Sequence, residues 1–219
     1  GAALFLTFAC SPKTTETAAK TSPTKPPAPP TTSVPASDKV ILDTFADIQI
    51  LQYELPGWEK LNLRQKTFIY HLSEATLAGR DIIYDQHCKH NLAVRKTLEA
   101  VHETYKGDRA SADWKAFMVY AKRVWFSNGI HHHYNETKIQ PGFSKDYFTV
   151  LVQNSDPNKL PLSQGENANA LIARLQPVIF DPTVFAKRTN KDKGVDVVKQ
   201  SAVNFYEGVT AKQVDDFYE

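Results

Sequence analysis

From residue 62 onward apolar side chains recur every three or four positions, a period that admits little besides helix. Phe68, Leu72, Ala75, Gly79 and Ile82 share one face of a run opened by Asn62, with Gln65 in capping-box position. Val94, Leu98, Val101 and Tyr105 form a second run that stops at Lys106-Gly107, a cation followed by a C-cap glycine. Trp114, Phe117, Met118, Ala121, Val124 and Trp125 form a third, beginning after Ser111 and closing at Asn128-Gly129. Ser144 caps a shorter helix carrying Phe148, Leu151 and Val152. Ser163-Gln164-Gly165-Glu166 reads as a capping box ahead of Ala168, Leu171, Ile172 and Leu175, and Asp181-Pro182 as an N-cap with proline in the first turn. Thr210 with Gln213 opens a last helix with Val214, Phe217 and Tyr218 on its apolar side. Only Ile48 to Leu55 alternates like a strand, and its alternation slips at Leu51. The expected fold class is mainly α with minor β.

The first forty residues obey different rules. They hold seven of the 13 prolines, and no glycine lies between Gly1 and Gly57. Ala2 to Ala9 is a short apolar run closed by Cys10 and Ser11-Pro12, too short to span a bilayer but suited to the end of a signal peptide's apolar region. A small residue before a lone cysteine, followed by a polar tract, resembles a bacterial lipoprotein signal, although Phe8 stands where a small residue is usual. That resemblance implies lipid attachment at Cys10, and export to a bacterial envelope membrane, at the periplasm or the cell surface. Residues 11–40 are rich in Pro, Thr, Ser, Ala and Lys with almost nothing apolar to bury, and read as a disordered tether between anchor and body. The remaining residues, 41–219, suffice for one domain with its own core.

Charge excludes one class of partner. Four of the 26 basic and two of the 24 acidic residues lie in the first forty, which leaves 22 of each downstream and no basic stripe for nucleic acid. The chain lacks an initiating methionine and ends on Phe217-Tyr218-Glu219 inside an amphipathic pattern. The expectation is a piece of a longer protein.

The usual chemical signatures are sparse. No Gly-rich phosphate loop and no G-x-S-x-G elbow occurs. Cysteines at 10 and 88 make neither a disulfide framework nor a zinc ribbon, and Cys88, between His87 and Lys89, reads as structural or surface. His102-Glu103-Thr104-Tyr105-Lys106 begins like H-E-x-x-H, but a lysine ammonium cannot replace the second imidazole that zinc requires. His131-His132-His133 falls in a loop from Asn128 to Phe143, where adjacent side chains of an extended segment point to opposite sides and cannot form one facial metal set. The loop is long enough to carry function.

Several segments resemble the dipeptidyl peptidase III family of zinc metallopeptidases, nearest to its Bacteroidetes branch. They are Phe45-Ala46-Asp47-Ile48-Gln49-Ile50-Leu51, Gly79-Arg80-Asp81-Ile82-Ile83-Tyr84-Asp85-Gln86, and Arg123 through Tyr134 with its Asn128-Gly129 turn and histidine triplet. Gly194-Val195-Asp196 and Asn204-Phe205-Tyr206-Glu207-Gly208-Val209-Thr210 extend the likeness, which covers roughly residues 43–219.

The resemblance implies an enzyme that releases dipeptides from the N-terminus of short peptides. It implies two lobes across a wide cleft, this chain belonging mainly to the lobe without the metal. In the family a helix bearing H-E-x-x-G-H supplies two zinc ligands and a glutamate base, and a later glutamate a third ligand. None of these is found in this sequence, so the resemblance implies no catalytic residue and no metal ligand here. It implies instead a missing C-terminal part of the same polypeptide that holds the zinc. Alignment on Gly129 and Thr137-Lys138-x-x-Pro141 puts Tyr134 where the family presents an aromatic residue to the substrate's N-terminal side chain. Tyr134, His133 and Asn128 are therefore the expected peptide-binding residues. The competing expectation is a non-catalytic surface lipoprotein that binds peptide or metal through the helical body and the histidine loop.

Overall fold

A computed structural model describes residues 40–219. The signal remnant 1–10, the lipid site Cys10 and, Val40 apart, the 11–40 tether lie outside the described residues. The body is mainly α, with a two-stranded antiparallel hairpin, β1 (Ile41–Phe45) and β2 (Ile48–Leu51), ahead of eight helices. These are α1 (Leu63–Ala78), α2 (Asp81–His87), α3 (Asn91–Thr104), α4 (Ala112–Ser127), α5 (Lys145–Gln153), α6 (Ala168–Phe180), α7 (Val197–Gln200) and α8 (Ala211–Tyr218). Among the described residues no helix is long and apolar enough to cross a membrane.

The core forms where α3, α4, α5 and α6 turn their apolar stripes inward. Val94, Leu98, Val101, Phe117, Val124, Phe148, Leu151, Leu171, Leu175 and Ile179 are all buried. Each such side chain contributes about 1.5–3 kcal/mol of transfer free energy. Phe143, at the end of the long loop, sits edge-on to Phe117, Tyr120 and Phe180 with ring centroids 5.6–5.8 Å apart. Tyr105 stacks on Trp114 at 5.2 Å, tying the end of α3 to the start of α4. Ser111 accepts the amide of Trp114 and Ser144 that of Tyr147, so both serine caps form as the sequence predicts. The capping boxes at Asn62/Gln65 and Thr210/Gln213 form as well.

Four local expectations give way. The run from residue 62 to 82 is broken at Gly79, because Arg80 is drawn off to the end of α4. The cap of α6 is Asn167, which accepts the amide of Ala170. Glu166 instead accepts the backbone N–H of Ser163 and pairs in bidentate fashion with the Nε and Nη2 edge of the Arg174 guanidinium. Asp181-Pro182 starts no helix: α6 ends there, and the Asp181 carboxylate closes a turn onto the amide and hydroxyl of Thr183. Finally, β1 was not expected. Its register shifts between Ile41 and Asp43, opposite Leu51 and Ile50, which accounts for the slip in alternation at Leu51.

The hairpin leans on α4 through Phe45, edge-on to Phe126 at 6.5 Å, and through Lys122, which bonds Asp43 at 2.6 Å. Helix α1 behaves differently. It has no buried residue, and Leu63, Phe68, Tyr70, Leu72 and Leu77 stand exposed. At 100° per residue Leu63, Tyr70 and Leu77 form one stripe, and Phe68, Leu72 and Ala75 another roughly 165° around. An isolated 16-residue helix is marginal in water. Helix α1 thus carries apolar side chains on two faces, both exposed.

Candidate functional site

The loop between α4 and α5 is held from its root. Helix α4 ends with Asn128 in the left-handed region (φ 52°), and Gly129 follows at φ 145°. Glycine is required twice over at 129, by that dihedral and because a Cβ would overlap the amide of Asn91. Fully buried at the start of α3, Asn91 donates to the carbonyl of Tyr84 (3.1 Å) and accepts the amide of Ile130 (3.2 Å). Arg80 donates from Nε to Asn128 Oδ1 (3.0 Å) and from Nη2 to the carbonyl of Trp125 (2.8 Å). It thus satisfies groups left bare at the C-terminus of α4, where a cation is also favoured.

Beyond the root, the loop folds back on itself. The amide of Ile139 donates to Ile130 O and that of His132 to Thr137 O, each at 2.8 Å. On the other side Lys138 N donates to Ala186 O (3.0 Å) and Arg188 N to Glu136 O (2.9 Å), so three short segments share one ladder. Arg188 also pairs with the carboxylate of Glu136 at 2.6 Å. Lys138 is buried, its ammonium donating to the carbonyls of Asp181 and Val184, and burial pulls its pKa down to about 8.

The three histidines take three different environments. His131 is 2% exposed and hydrogen-bonds the carbonyl of Phe185 at 2.7 Å. A carbonyl only accepts, so the proton sits on Nε2, while Nδ1 is buried without a partner. Burial pushes its pKa down to about 4, which makes it a neutral structural imidazole at ordinary pH. His132 lies between the hairpin and the loop tip, its Nε2 3.2 Å from Asp47 Oδ2. His133 packs edge-on against Phe126 at 4.9 Å and lies 4.4 Å from the His132 ring; partial burial lowers its pKa, with the His132 ring a lesser cause.

At the tip stands Tyr134, 87% exposed. The expected peptide-binding residues are thus divided: Tyr134 and His133 adjoin at the tip, and Asn128 sits at the root. There Asn128 has its side-chain oxygen taken by Arg80 and its carbonyl 3.2 Å from His87 Nδ1. Elsewhere Asn204 and Tyr206 to Val209 line a cavity of about 370 Å³ with Lys89, Phe185 and Lys199, where Lys89 pairs with Glu207 at 2.6 Å.

Chemically the loop offers a presented aromatic ring on a tightly bonded frame. No three His, Cys, Asp or Glu side chains converge to hold a metal among the described residues. Sequence reasoning passed over Asn91, whose identity inside a helical run gives no sign of its two long-range bonds. Arg80 and Asp47 did lie in segments singled out for their likeness. Compared with known proteins, the chain matches no family model and no curated protein.

Proposed function

We propose that this chain is the N-terminal portion of a zinc-dependent dipeptidyl peptidase and that it forms one wall of the peptide cleft. The reading is carried by Tyr134: a ring left 87% exposed on a loop whose backbone is bonded on both sides. A mobile surface tyrosine needs no such frame. A ring with apolar area and a terminal hydroxyl, carried on such a frame, suits the first side chain and backbone of an oligopeptide. Zinc and the general base belong, in this reading, to a further part of the same polypeptide, and the fragment by itself is inactive.

Helix α1 supports the same reading against the alternative of a self-sufficient binding lipoprotein. A self-sufficient body keeps little apolar surface bare, whereas α1 exposes apolar residues on two faces. The decisive experiment has two parts. The reading frame past codon 219 should encode H-E-x-x-G-H, and the whole polypeptide, loaded with zinc, should release Ala-Ala from tetra-alanine. A frame without that motif, or this chain binding one zinc tightly by itself in a calorimetric titration, would remove the peptidase reading in favour of the lipoprotein.

A further inference from the structure

We infer that Asp47 and His132 are positioning residues for Tyr134: the carboxylate of the β1–β2 turn fixes the tautomer of His132, and that tautomer clamps the turn that presents the tyrosine. The inference rests on Tyr134 facing the peptide.

The geometry assigns each proton. Asp47 Oδ2 lies 3.2 Å from His132 Nε2, and an ionised carboxylate can only accept, so Nε2 carries the hydrogen. That leaves Nδ1 as a bare acceptor, and two backbone amides point at it: Tyr134 N at 3.2 Å and Asn135 N at 3.3 Å. An Asn or Asp side chain at the head of a turn captures the amide two residues on in the same way. The imidazole differs in having a second nitrogen, through which an element outside the loop can dictate which nitrogen accepts. Asp47 is held ready for this. Its own backbone N–H and the His132 ring keep its carboxyl below the usual carboxylate range, and Arg123 lies 3.4 Å from its other oxygen.

Every charged or titratable group around the ring acts on this arrangement. Asp47 comes from the hairpin, Arg123 from α4 and His133 from the loop itself, with Arg188 of the third ladder segment acting on the adjoining His133 ring. Protonation of Nδ1 would turn the acceptor into a donor and release both amides, while the contact with Asp47 remained.

Two substitutions separate the two nitrogens. His132→Asn puts an oxygen near the Nδ1 position and abandons Asp47, and His132→Gln puts an N–H near the Nε2 position and abandons the amides. In hydrogen exchange on the full chain, His132→Asn should keep the protection of the Tyr134 and Asn135 amides. His132→Gln should lower that protection about tenfold. In the polypeptide of the complete reading frame, KM for tetra-alanine should rise about tenfold in His132→Gln with kcat little changed, and stay within about twofold in His132→Asn. Asp47→Ala should fall between them. Identical exchange in the Asn and Gln variants overturns the clamp. Exchange that follows the expectation while KM stays level in all variants overturns the role of Tyr134 in binding, and with it the positioning.

Discussion

The amide of Asn91 occupies the space that a Cβ on residue 129 would need. One buried side chain at the head of α3 thereby dictates a glycine at the end of α4, 38 positions along, and receives the amide of Ile130 in return. The two positions should be energetically coupled. Asn91→Ala leaves the Ile130 N–H buried without a partner and takes from the Tyr84 carbonyl one of its two donors, the Cys88 amide remaining, and should cost about 1–3 kcal/mol. Gly129→Ala should cost a similar amount from overlap and from its left-handed dihedral. Because the smaller residue at 91 removes the overlap, the double variant should be more stable than the sum predicts by about 1 kcal/mol or more. Urea midpoints of the four proteins measure this, and strict additivity would mean that the two do not touch.

His131 makes stability depend on pH with a definite sign. Its folded pKa of about 4 lies below the ordinary 6.5, so between those values the unfolded chain binds the proton and the folded chain does not. Stability from this group is complete above pH 6.5 and is lost as pH falls toward 4, by roughly 3 kcal/mol. His131→Gln keeps an N–H for the Phe185 carbonyl but cannot titrate, so its stability curve should be flatter across that window. Parallel curves for the two proteins would show that His131 titrates normally. His87 and His90 are also shifted downward by burial and give the variant a residual slope.

Cys88 is fully buried between α2 and α3, and burial pushes its thiol pKa upward. The adjacent His87 and Lys89 do not convert it into a nucleophile. In a Cys10→Ser background the thiol should resist an aromatic disulfide reagent in the native state and react only as fast as the chain opens. Added urea should then raise the labelling rate in step with unfolding. Rapid stoichiometric labelling in water would contradict its burial.

The sequence disclosed what local chemistry decides. Ser111, Ser144 and Thr210 name their own helix starts, since a hydroxyl two or three residues before an amide needs no distant partner. The glycine at 129 was legible as a stop, and the 128–143 loop as long enough to matter. What could not be read depends on pairs far apart in the chain. Arg80 leaves its helical run for Trp125 and Asn128, 45 and 48 positions away, and Asp47 meets His132 across 85. Within the site, Tyr134 could be singled out by likeness alone. That His131, His132 and His133 split into a buried donor, a hairpin contact and an edge-on packer followed only from the ladder they sit in. The apolar spacing of α1 was read correctly as helical, but periodicity reports that a stripe exists without saying what covers it.

That uncovered stripe gives the sharpest contrast between the chain as it stands and the polypeptide proposed for it. Phe68 is 66% exposed and Leu72 is likewise bare, so replacing both with glutamate removes almost no packing here. The double variant should shift the stability of this chain by no more than about 0.5 kcal/mol, as surface substitutions do, and should reduce its self-association. Leu98→Ala, in the core shared by α3 and α4, should by comparison cost about 2–5 kcal/mol. In the polypeptide of the complete reading frame the order changes. If further chain covers α1, two buried glutamates there should cost several kcal/mol or abolish folding, because unpaired charge is then taken out of water. Denaturation midpoints of the same variants in both contexts decide it. A glutamate pair tolerated equally in both would leave α1 a solvent-facing helix and remove the support it lends to an incomplete body.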